Sequence, residues 1–354
     1  MFAAAQAAKI YEGEGLILTM DPGTLSLRAL CMKILPSQRA HLYILDRARV
    51  FVRHGRIEYI SDEGREPKTF NIPVANTAFV LLGQGTSITQ DAARKFASEG
   101  VCFGFCGTGG TPLLAAEDPY PDILLPASEY RDPRPLQRWI EVWRVPEARL
   151  AAAKTMMADR MERIETVWPE LELPIDLAPP GLRDIKQWRR TIKGASDITP
   201  LLGEEGNITK TLYRHAAQRC GVGEFTRNHQ ETGGASDPNS LLNHGNYLAY
   251  GIAAVVLWAL GLPASLAAVH GKTRRGGLVF DLADTIKDSI ILPTAFSYAT
   301  AVRNGVENAG ETGFRELCIQ HFDDHKVLPM LFASMERAIA AGEAVLPAQE
   351  SALS

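Results

Sequence analysis

The spacing of apolar and polar residues changes along the chain, and it predicts strands before residue 115 and helices beyond residue 135. In the first part, short apolar or alternating runs indicate strands. Arg53-His54-Gly55 separates two of these runs and predicts a hairpin turn. Thr89 suits the N-cap of a helix that runs to about Ser98, with Gly100 as its end. The predicted strands are 41–45, 49–52, 56–60, 79–82 and 101–106, and a short helix is predicted over 24–34.

Beyond residue 135 the apolar residues recur at every third or fourth position, which is typical of helices. Pro146 divides the stretch 136–168 into two predicted helices, and Pro293 is expected to end a later one. Further helices are predicted over 182–192, 204–220, 238–260, 281–292 and 312–342. We therefore expect an α+β fold. Its parts are an N-terminal β-rich domain over 1–117, a proline-rich connector over 118–135 and a larger all-α C-terminal domain over 136–354.

Composition limits the classes of function. The chain has 354 residues, 46% of them hydrophobic, and a formal net charge of −4. These values are ordinary for a globular protein, and they mean that a nucleic-acid site would need local clusters of basic residues. Five cysteines in a chain of this length fit a reducing cytoplasm better than a disulfide framework. We expect Cys102 and Cys106 to be packed thiols.

The uncharged stretch from Tyr247 to Val269 is the strongest candidate for a membrane span. Gly261 and Pro263 end a helix there, which leaves 247–260, shorter than the roughly 20 residues that a span requires. We expect a buried core helix, no membrane partner and a cytoplasmic location. The N-terminus lacks the basic head and apolar centre of a secretory signal.

The segment from His270 to Asp288 carries most of the candidate chemistry. Carboxylate oxygens beside an imidazole suit Mg²⁺ or Mn²⁺. If a helix begins near 281, then Asp281, Asp284 and Asp288 lie along one face of it. Ammonium and guanidinium groups suit phosphate oxygens, so a metal beside them indicates phosphodiester chemistry. The basic residues of the segment are Lys272, Arg274 and Arg275.

Each of these side chains also has an ordinary structural interpretation. Asp281 precedes an apolar run, so helix capping is the favoured role for it alone. Asp284 can be both a first-turn anion and a metal ligand. Asp288 is expected to be a solvated aspartate. A lone histidine such as His270, at the end of an apolar run, is more often a core residue, and it gains interest from the glycines and cations that follow.

A second acidic pair, Glu204 and Glu205, lies at the start of a predicted helix. Two anions at the positive end of a helix dipole are ordinary. Gly206 leaves room for a ligand beside Glu205, and Lys210 and Arg214 follow as a basic stripe. Both interpretations stay open on the residues alone.

Other basic residues are candidate contacts to DNA. Arg227 follows a glycine-rich turn and could touch phosphate. Arg189 and Arg190 belong to a segment that mixes cations with tryptophan, which suits nucleic acid. The ordinary alternative is an amphipathic helix with tryptophans inside and arginines outside, and it is preferred for Trp139 and Trp143.

Three long segments and one shorter segment resemble a known family. The long segments are LGEEGNITKTLY at Leu202–Tyr213, LNHGNYLAYG at Leu242–Gly251 and HGKTRRGGLVFDLAD at His270–Asp284, and the shorter one is Leu81–Gln90. On these motifs the chain resembles the CRISPR-associated spacer-acquisition integrase family, Cas1, in its type I-F branch. The likeness extends from about residue 35 to about residue 326.

The resemblance implies a catalytic metal site. Glu205, His270 and Asp284 match the family's ligands for Mg²⁺ or Mn²⁺, and Asp281 matches an auxiliary acid. The residues alone do not choose Glu205 over Glu204, or Asp284 over Asp281.

The resemblance also implies a reaction and its partners. Members form homodimers, bind double-stranded DNA (the prespacer and the CRISPR repeat) and act with a Cas2 protein, which the I-F branch fuses to Cas3. We therefore expect a metal-dependent DNA endonuclease and integrase that inserts spacers by 3′-hydroxyl attack on a phosphodiester. The alternatives are a branched-DNA nuclease without integration, a metal-dependent hydrolase of a small phosphorylated substrate, and a non-catalytic scaffold.

Overall fold

Eight strands, one α-helix and one short 3₁₀ turn lie in the N-terminal part of the chain that the structure describes. The computed structural model describes residues 39, 41–61, 67–105, 122–124, 132–228, 233–270, 276–305 and 310–347, all within one unit, Ile34–Ser354. The strands are β1 His41–Leu45, β2 Ala48–Arg53, β3 Arg56–Ser61, β4 Lys68–Ile72, β5 Thr77–Leu82, β6 Ser87–Ile88, β7 Cys102–Phe105 and β8 Asp122–Leu124. The helix is α1, Gln90–Ser98, and the side chain of Thr89 caps it as predicted.

The strands form two sheets of different character. In the first, of order β1-β5-β7-β8, strands β1, β5 and β7 are parallel and β8 is antiparallel to β7. In the second, of order β4-β3-β2-β6, strands β2, β3 and β4 form an antiparallel meander, and β6 runs parallel to β2. All residues of β5 are buried, as expected for a parallel strand that is covered on both faces.

The predicted hairpin joins β2 and β3. The two strands pair from Ala48 opposite Ser61 to Arg53 opposite Arg56. The two loop residues, His54 and Gly55, have φ angles of 49° and 73°. Positive φ at both positions is the requirement of a type I′ turn, and glycine meets it without a steric cost.

Nine α-helices, a π-helical turn and two short 3₁₀ turns follow in the described part of the chain. The α-helices and the π turn position the site. They are α2 Arg134–Arg144, α3 Pro146–Val167, α4 Leu182–Gly194, α5 Ile198–Arg219, α6 Pro238–Leu260, α7 Gly277–Ile286, the π turn Lys287–Ile291, α8 Leu292–Arg303, α9 Glu311–Asp324 and α10 Val327–Glu343. A strand-rich part followed by helices confirms the predicted α+β class.

Four helix boundaries differ from the predicted ones. Helix α5 begins at Ile198 with Asp197 as its cap, well before residue 204. Helix α7 begins at Gly277 and not near 281. Pro293 does not end a helix, because it lies in the first turn of α8, where its missing N–H is tolerated. The predicted helix over 312–342 is divided at Lys326, whose φ of 49° is left-handed.

The first sheet lies between two apolar cores. Phe79 and Leu81 of β5 belong to the larger core, which they share with the helices. Val80 and Leu82 belong to the smaller core, between the sheets and α1. This alternation follows from the two faces of a strand. Helix α6 packs closely on the sheet, since a Cβ at Gly251 would lie 2.7 Å from a ring carbon of Phe79.

Some predictions fall outside the described residues, namely the helix over 24–34 and the thiol of Cys106. Cys102 is buried, as expected. The domain limits at 117 and 135 stay predictions, although β8 lies within the expected connector and pairs with β7. No helix in the described ranges is long and apolar enough to cross a bilayer. Helix α6 is buried along nearly its whole length, as a core helix is.

Candidate active-site cleft

A cleft of about 910 Å³ is lined by the acidic and imidazole candidates of α5, of α7 and of the segment that ends at His270. Its acidic and imidazole lining residues are Glu205, Glu224, His270 and Asp284. Its basic lining residues are Lys210, Arg214, Arg227 and Lys287. The motifs that are distant along the chain therefore meet at one concave surface.

Asp281 lies behind His270 and does not cap a helix, so the predicted capping role is wrong. It lies inside α7, where the backbone N–H groups are already bonded within the helix and need no cap. Its carboxylate instead faces the segment that ends at His270. One oxygen accepts the backbone N–H of Ala268 at 2.6 Å and of Val269 at 3.0 Å. The other accepts the N–H of His270 at 3.0 Å. This buried carboxylate fixes the chain that carries the imidazole.

Two tryptophans hold the same segment from the side of α2. Trp139 Nε1 donates to the carbonyl of Leu266 at 3.1 Å, and Trp143 Nε1 donates to that of Ala267 at 2.9 Å. Trp139 is fully buried, as the preferred core interpretation expects. Buried indole N–H groups usually find an acceptor, and here the acceptors are the residues before His270. The two indole hydrogen bonds therefore hold the backbone that leads to His270.

The His270 ring lies between two carboxylates of α7. Its Nδ1 is 2.6 Å from Asp281 Oδ1, and its Nε2 is 3.8 Å from Asp284 Oδ2. A carboxylate at Nδ1 favours the tautomer with the proton on that nitrogen, which leaves the lone pair on Nε2. Since Nε2 is the nitrogen on the cleft side, the ring is oriented as a ligand or a proton acceptor there.

Asp284 is buried but keeps its charge. Lys287 Nζ donates to its Oδ1 at 2.6 Å. Burial alone would raise the pKa of Asp284, but the charges of Lys287, Arg160 and His270 outweigh it and lower the pKa to about 2. In return, Asp284 holds the pKa of Lys287 above its usual range despite burial. The cleft therefore contains an ionised carboxylate beside the imidazole.

Glu205 is held from behind by a buried arginine. Arg160, only 2% exposed, donates from Nη1 to Glu205 Oε1 at 3.1 Å and from Nη2 to Thr209 Oγ1 at 2.7 Å. Its Nε donates to Asp288 Oδ2 at 2.6 Å. Asp288 is thus a buried partner of Arg160, and its predicted role as a solvated aspartate is wrong because it faces the core.

Arg160 was missed among the candidates, although α3 carries a signal for it. Met157, Met161 and Ile164 mark the buried face of α3, and Arg160 falls on that face. A charge on an apolar face requires a buried partner. Which acid supplies it could not be deduced, since Asp288 is 128 positions away in sequence.

Glu204 and Glu205 have different positions relative to the cleft. Both lie in the second turn of α5, so the helix-start interpretation does not hold. Glu205 lines the cleft and contacts Arg160, whereas Glu204 is not among the lining residues.

The predicted DNA contacts are divided among several places. Arg227 lines the cleft and donates to the side-chain oxygens of Asn239 at 3.2 Å and Asn243 at 2.5 Å. Arg189 and Arg190 lie on α4, outside the cleft lining. Lys272, Arg274 and Arg275 fall outside the described residues.

The donor chemistry of the cleft fits a hard divalent ion. Three carboxylates and one imidazole line the cleft, and the imidazole has the buried carboxylate partner that metal-bound histidines usually have. Within the described ranges, however, no three such side chains are grouped closely enough to hold one ion. Arg160 and Lys287 neutralise Glu205 and Asp284, so a shift of these side chains would accompany metal binding.

Comparisons with known proteins agree with one another. The family described as CRISPR associated protein Cas1 matches residues 42–303. A CRISPR-associated endonuclease Cas1 of Pseudomonas aeruginosa is 45% identical, over 86% of this chain and 94% of its own. The Pectobacterium atrosepticum protein of the same name is 43% identical, over 86% and 93%.

Two solved structures have a similar fold. One is a TtCas1–DNA complex, with a TM-score of 0.59 and 20% identity, covering 84% of this chain and 91% of that one. The other is a casposase bound to integration product, with a TM-score of 0.63 and 15% identity, covering 86% and 91%. At these identities the likeness concerns the fold.

Proposed function

The chain belongs to the Cas1 family of CRISPR-associated proteins, and from this premise we propose that it is a metal-dependent DNA endonuclease and integrase of CRISPR adaptation. The observation that carries the proposal is the His270 ring between Asp281 and Asp284, in a cleft that Glu205 also lines. An oriented imidazole and an ionised carboxylate, Asp284, beside several cations suit phosphodiester chemistry better than a purely structural cluster.

Glu205, His270 and Asp284 would hold Mg²⁺ or Mn²⁺, and Asp281 would fix the tautomer of His270. The bound ion would supply Lewis acidity at a phosphoryl oxygen and stabilise developing negative charge. The chain provides these three side chains in one cleft, and Glu205 and Asp284 would move from their partners Arg160 and Lys287 to reach the ion.

The cations of the cleft would position the phosphates of the substrate. Lys210 and Arg214 are exposed on α5. Arg227 also lines the cleft and is held by the side chains of two asparagines. In the proposed reaction a 3′-hydroxyl forms a new phosphorus–oxygen bond while one bond of the target strand breaks, and the released 3′-oxygen takes up a proton. The number of phosphodiester bonds is conserved, so no energy source is required.

Double-stranded DNA is the proposed substrate, and a second copy of the chain and a Cas2 protein fused to Cas3 are the proposed partners. The fold neighbour TtCas1 was solved with DNA, and the casposase was solved with an integration product, which supports the substrate class. The negative net charge of −4 does not oppose DNA binding, because local cations and several subunits can supply the contacts.

The test compares Glu205→Gln and Asp284→Asn with Glu204→Gln, a matched change one residue away that does not line the cleft. A fluorescent duplex, a repeat-bearing plasmid, the companion protein and Mn²⁺ are incubated, and joined half-site products are counted. The cleft variants should lose at least about 100-fold in joining, as expected for removal of a charge-stabilising group, and keep DNA binding. Full joining by either variant would refute the assignment.

A further inference from the structure

Helix α4 presents a row of cations to solvent. Arg183, Lys186, Arg190 and Lys193, which we name the α4 basic strip, are all exposed. Their offsets of 3, 7 and 10 residues place them on one side of the helix. The opposite side is apolar and buried, with Ile185, Trp188 and Ile192. The helix is therefore fixed by its apolar side, and the strip points outwards.

The strip is also a local excess of positive charge. In the described part of the chain no carboxylate forms an ion pair with its four cations, and Asp184 is the acid that borders the groove beside them. Arg189 differs from its neighbours, since its Nη2 lies 2.7 Å from Glu165 of α3. In a chain of net charge −4, an unneutralised row of this kind is a local positive field.

The dimensions of the strip suit a nucleic-acid backbone. From Arg183 to Lys193 the helix rises by about 15 Å, which corresponds to roughly four phosphates of one strand. An open groove of about 770 Å³ runs beside Arg183, Lys186 and Arg190. At the far end, Lys154 Nζ donates to the carbonyl of Lys193 at 3.0 Å and adds a fifth cation.

We propose that the α4 basic strip binds the phosphate backbone of duplex DNA outside the catalytic cleft, with Arg190 in contact and Arg189 not. The inference rests on the proposed function, because it concerns where the same DNA is held. Helix α4 packs against α5, and α5 carries Glu205, Lys210 and Arg214 of the cleft. Contacts of this kind fix position and contribute affinity without reading base sequence.

The test is a salt titration of binding to a fluorescent 40-base-pair duplex, measured by anisotropy with the full-length protein. Arg190→Gln and Arg189→Gln form a matched pair, since they are adjacent, exposed and carry the same charge change. The slope of log affinity against log salt is negative, and each lost phosphate contact reduces its magnitude by about 0.9. Arg190→Gln should therefore reduce the magnitude of the slope by about 1, and Arg189→Gln should leave it unchanged. The triple variant Arg183→Gln, Lys186→Gln, Arg190→Gln should lower it by about 3.

The outcomes separate this inference from the proposed function. If the wild type binds the duplex with a steep salt slope and the triple variant has the same slope, the strip does not contact DNA, and an acidic protein partner becomes the better explanation. Equal losses for Arg189→Gln and Arg190→Gln would also overturn the assignment. A wild type that does not bind DNA would refute both proposals. All substitutions are at exposed sites, and thermal unfolding verifies that each variant is folded.

Discussion

Asp281 and Asp284 lie three residues apart on α7, yet they have different partners. Asp281 accepts backbone N–H groups and contacts His270 Nδ1, whereas Asp284 faces Nε2 and Lys287. The carboxylate of Asp281 orients the ring, and the carboxylate of Asp284 lines the cleft. The division of roles follows from the segment Ala268–His270, whose backbone N–H groups lie against Asp281.

Asp281→Asn tests the orienting role. An amide at this position can donate to Nδ1, which would move the proton of His270 to Nε2 and occupy its lone pair. We expect Mn²⁺ affinity, measured by calorimetry, to fall by about 10- to 100-fold, as for other changes behind a metal-bound histidine. Strand joining should fall with it.

Asp184→Asn is the matched control for this change, because Asp184 is exposed and outside the cleft. Its Mn²⁺ affinity should equal that of the wild type. An Asp281→Asn protein that is folded and binds Mn²⁺ normally would contradict the orienting role.

His321 of α9 is expected to make stability depend on pH. It is 2% exposed, and its Nε2 has no hydrogen-bond partner in the described chain. Burial, with a smaller contribution from His325, lowers its pKa to about 4 from an ordinary 6.5. The unfolded chain therefore takes up a proton first, so stability is complete above pH 6.5 and is lost as the pH falls towards 4.

Chemical denaturation at pH 7 and pH 5 measures this effect. The wild type should lose about 2 kcal/mol of unfolding free energy through His321 between these values. His321→Leu has no group to protonate, so its loss should be smaller by that amount. Parallel losses in the two proteins would show that His321 does not titrate in this range.

Helix α6 shows how an element is fixed against the sheet. Gly251 faces Phe79 of β5, and an added Cβ would lie 2.7 Å from its ring, which is fully buried. Gly203 of α5 has no atom within 4 Å of an added Cβ. The same substitution should therefore have opposite effects in the two helices.

Gly251→Ala should lower the unfolding free energy by about 1–3 kcal/mol, because overpacking of the core exceeds the gain in helix propensity. Gly203→Ala should raise it by up to about 1 kcal/mol, since only the propensity changes. Urea unfolding measures both. A Gly251→Ala protein as stable as Gly203→Ala would mean that α6 can move away from the sheet.

The network of Arg160 joins three parts of the molecule. It connects α3 with Glu205 and Thr209 of α5 and with Asp288 of the π turn. Trp168 adds a fourth link, since its Nε1 donates to the carbonyl of Asp288 at 2.8 Å. The support of the cleft is therefore made by residues far apart along the chain.

Arg160→Met should destabilise the protein by about 3–5 kcal/mol, because it leaves buried Asp288 without a counter-charge. The double variant Arg160→Met, Asp288→Asn removes both charges and should regain part of that loss. Urea unfolding of the wild type, the two single variants and the double variant gives the coupling energy. Additive losses would show that the two side chains do not act as a pair.

Local signals determined much of the secondary structure. The bounds predicted for α6 agree with Pro238–Leu260, because Asp237, Pro238 and Gly261 mark a cap, a first turn and an end in the sequence itself. The same holds for the turn at His54 and Gly55. The prediction of the Cas1 family, made from four sequence segments, is confirmed by the match over residues 42–303.

Only the tertiary structure decided what the polar residues of these elements do. Asp281 was expected to cap a helix and Asp288 to face solvent, yet both have buried partners on other segments. That Glu205 lines the cleft while Glu204 does not, and that Arg160 holds Glu205, depends in the same way on contacts between α3, α5 and the π turn. Helix periodicity and turn chemistry act over a few neighbouring residues, so the amino-acid sequence alone determines them. An ion pair between positions 160 and 288 forms only once the helices are packed.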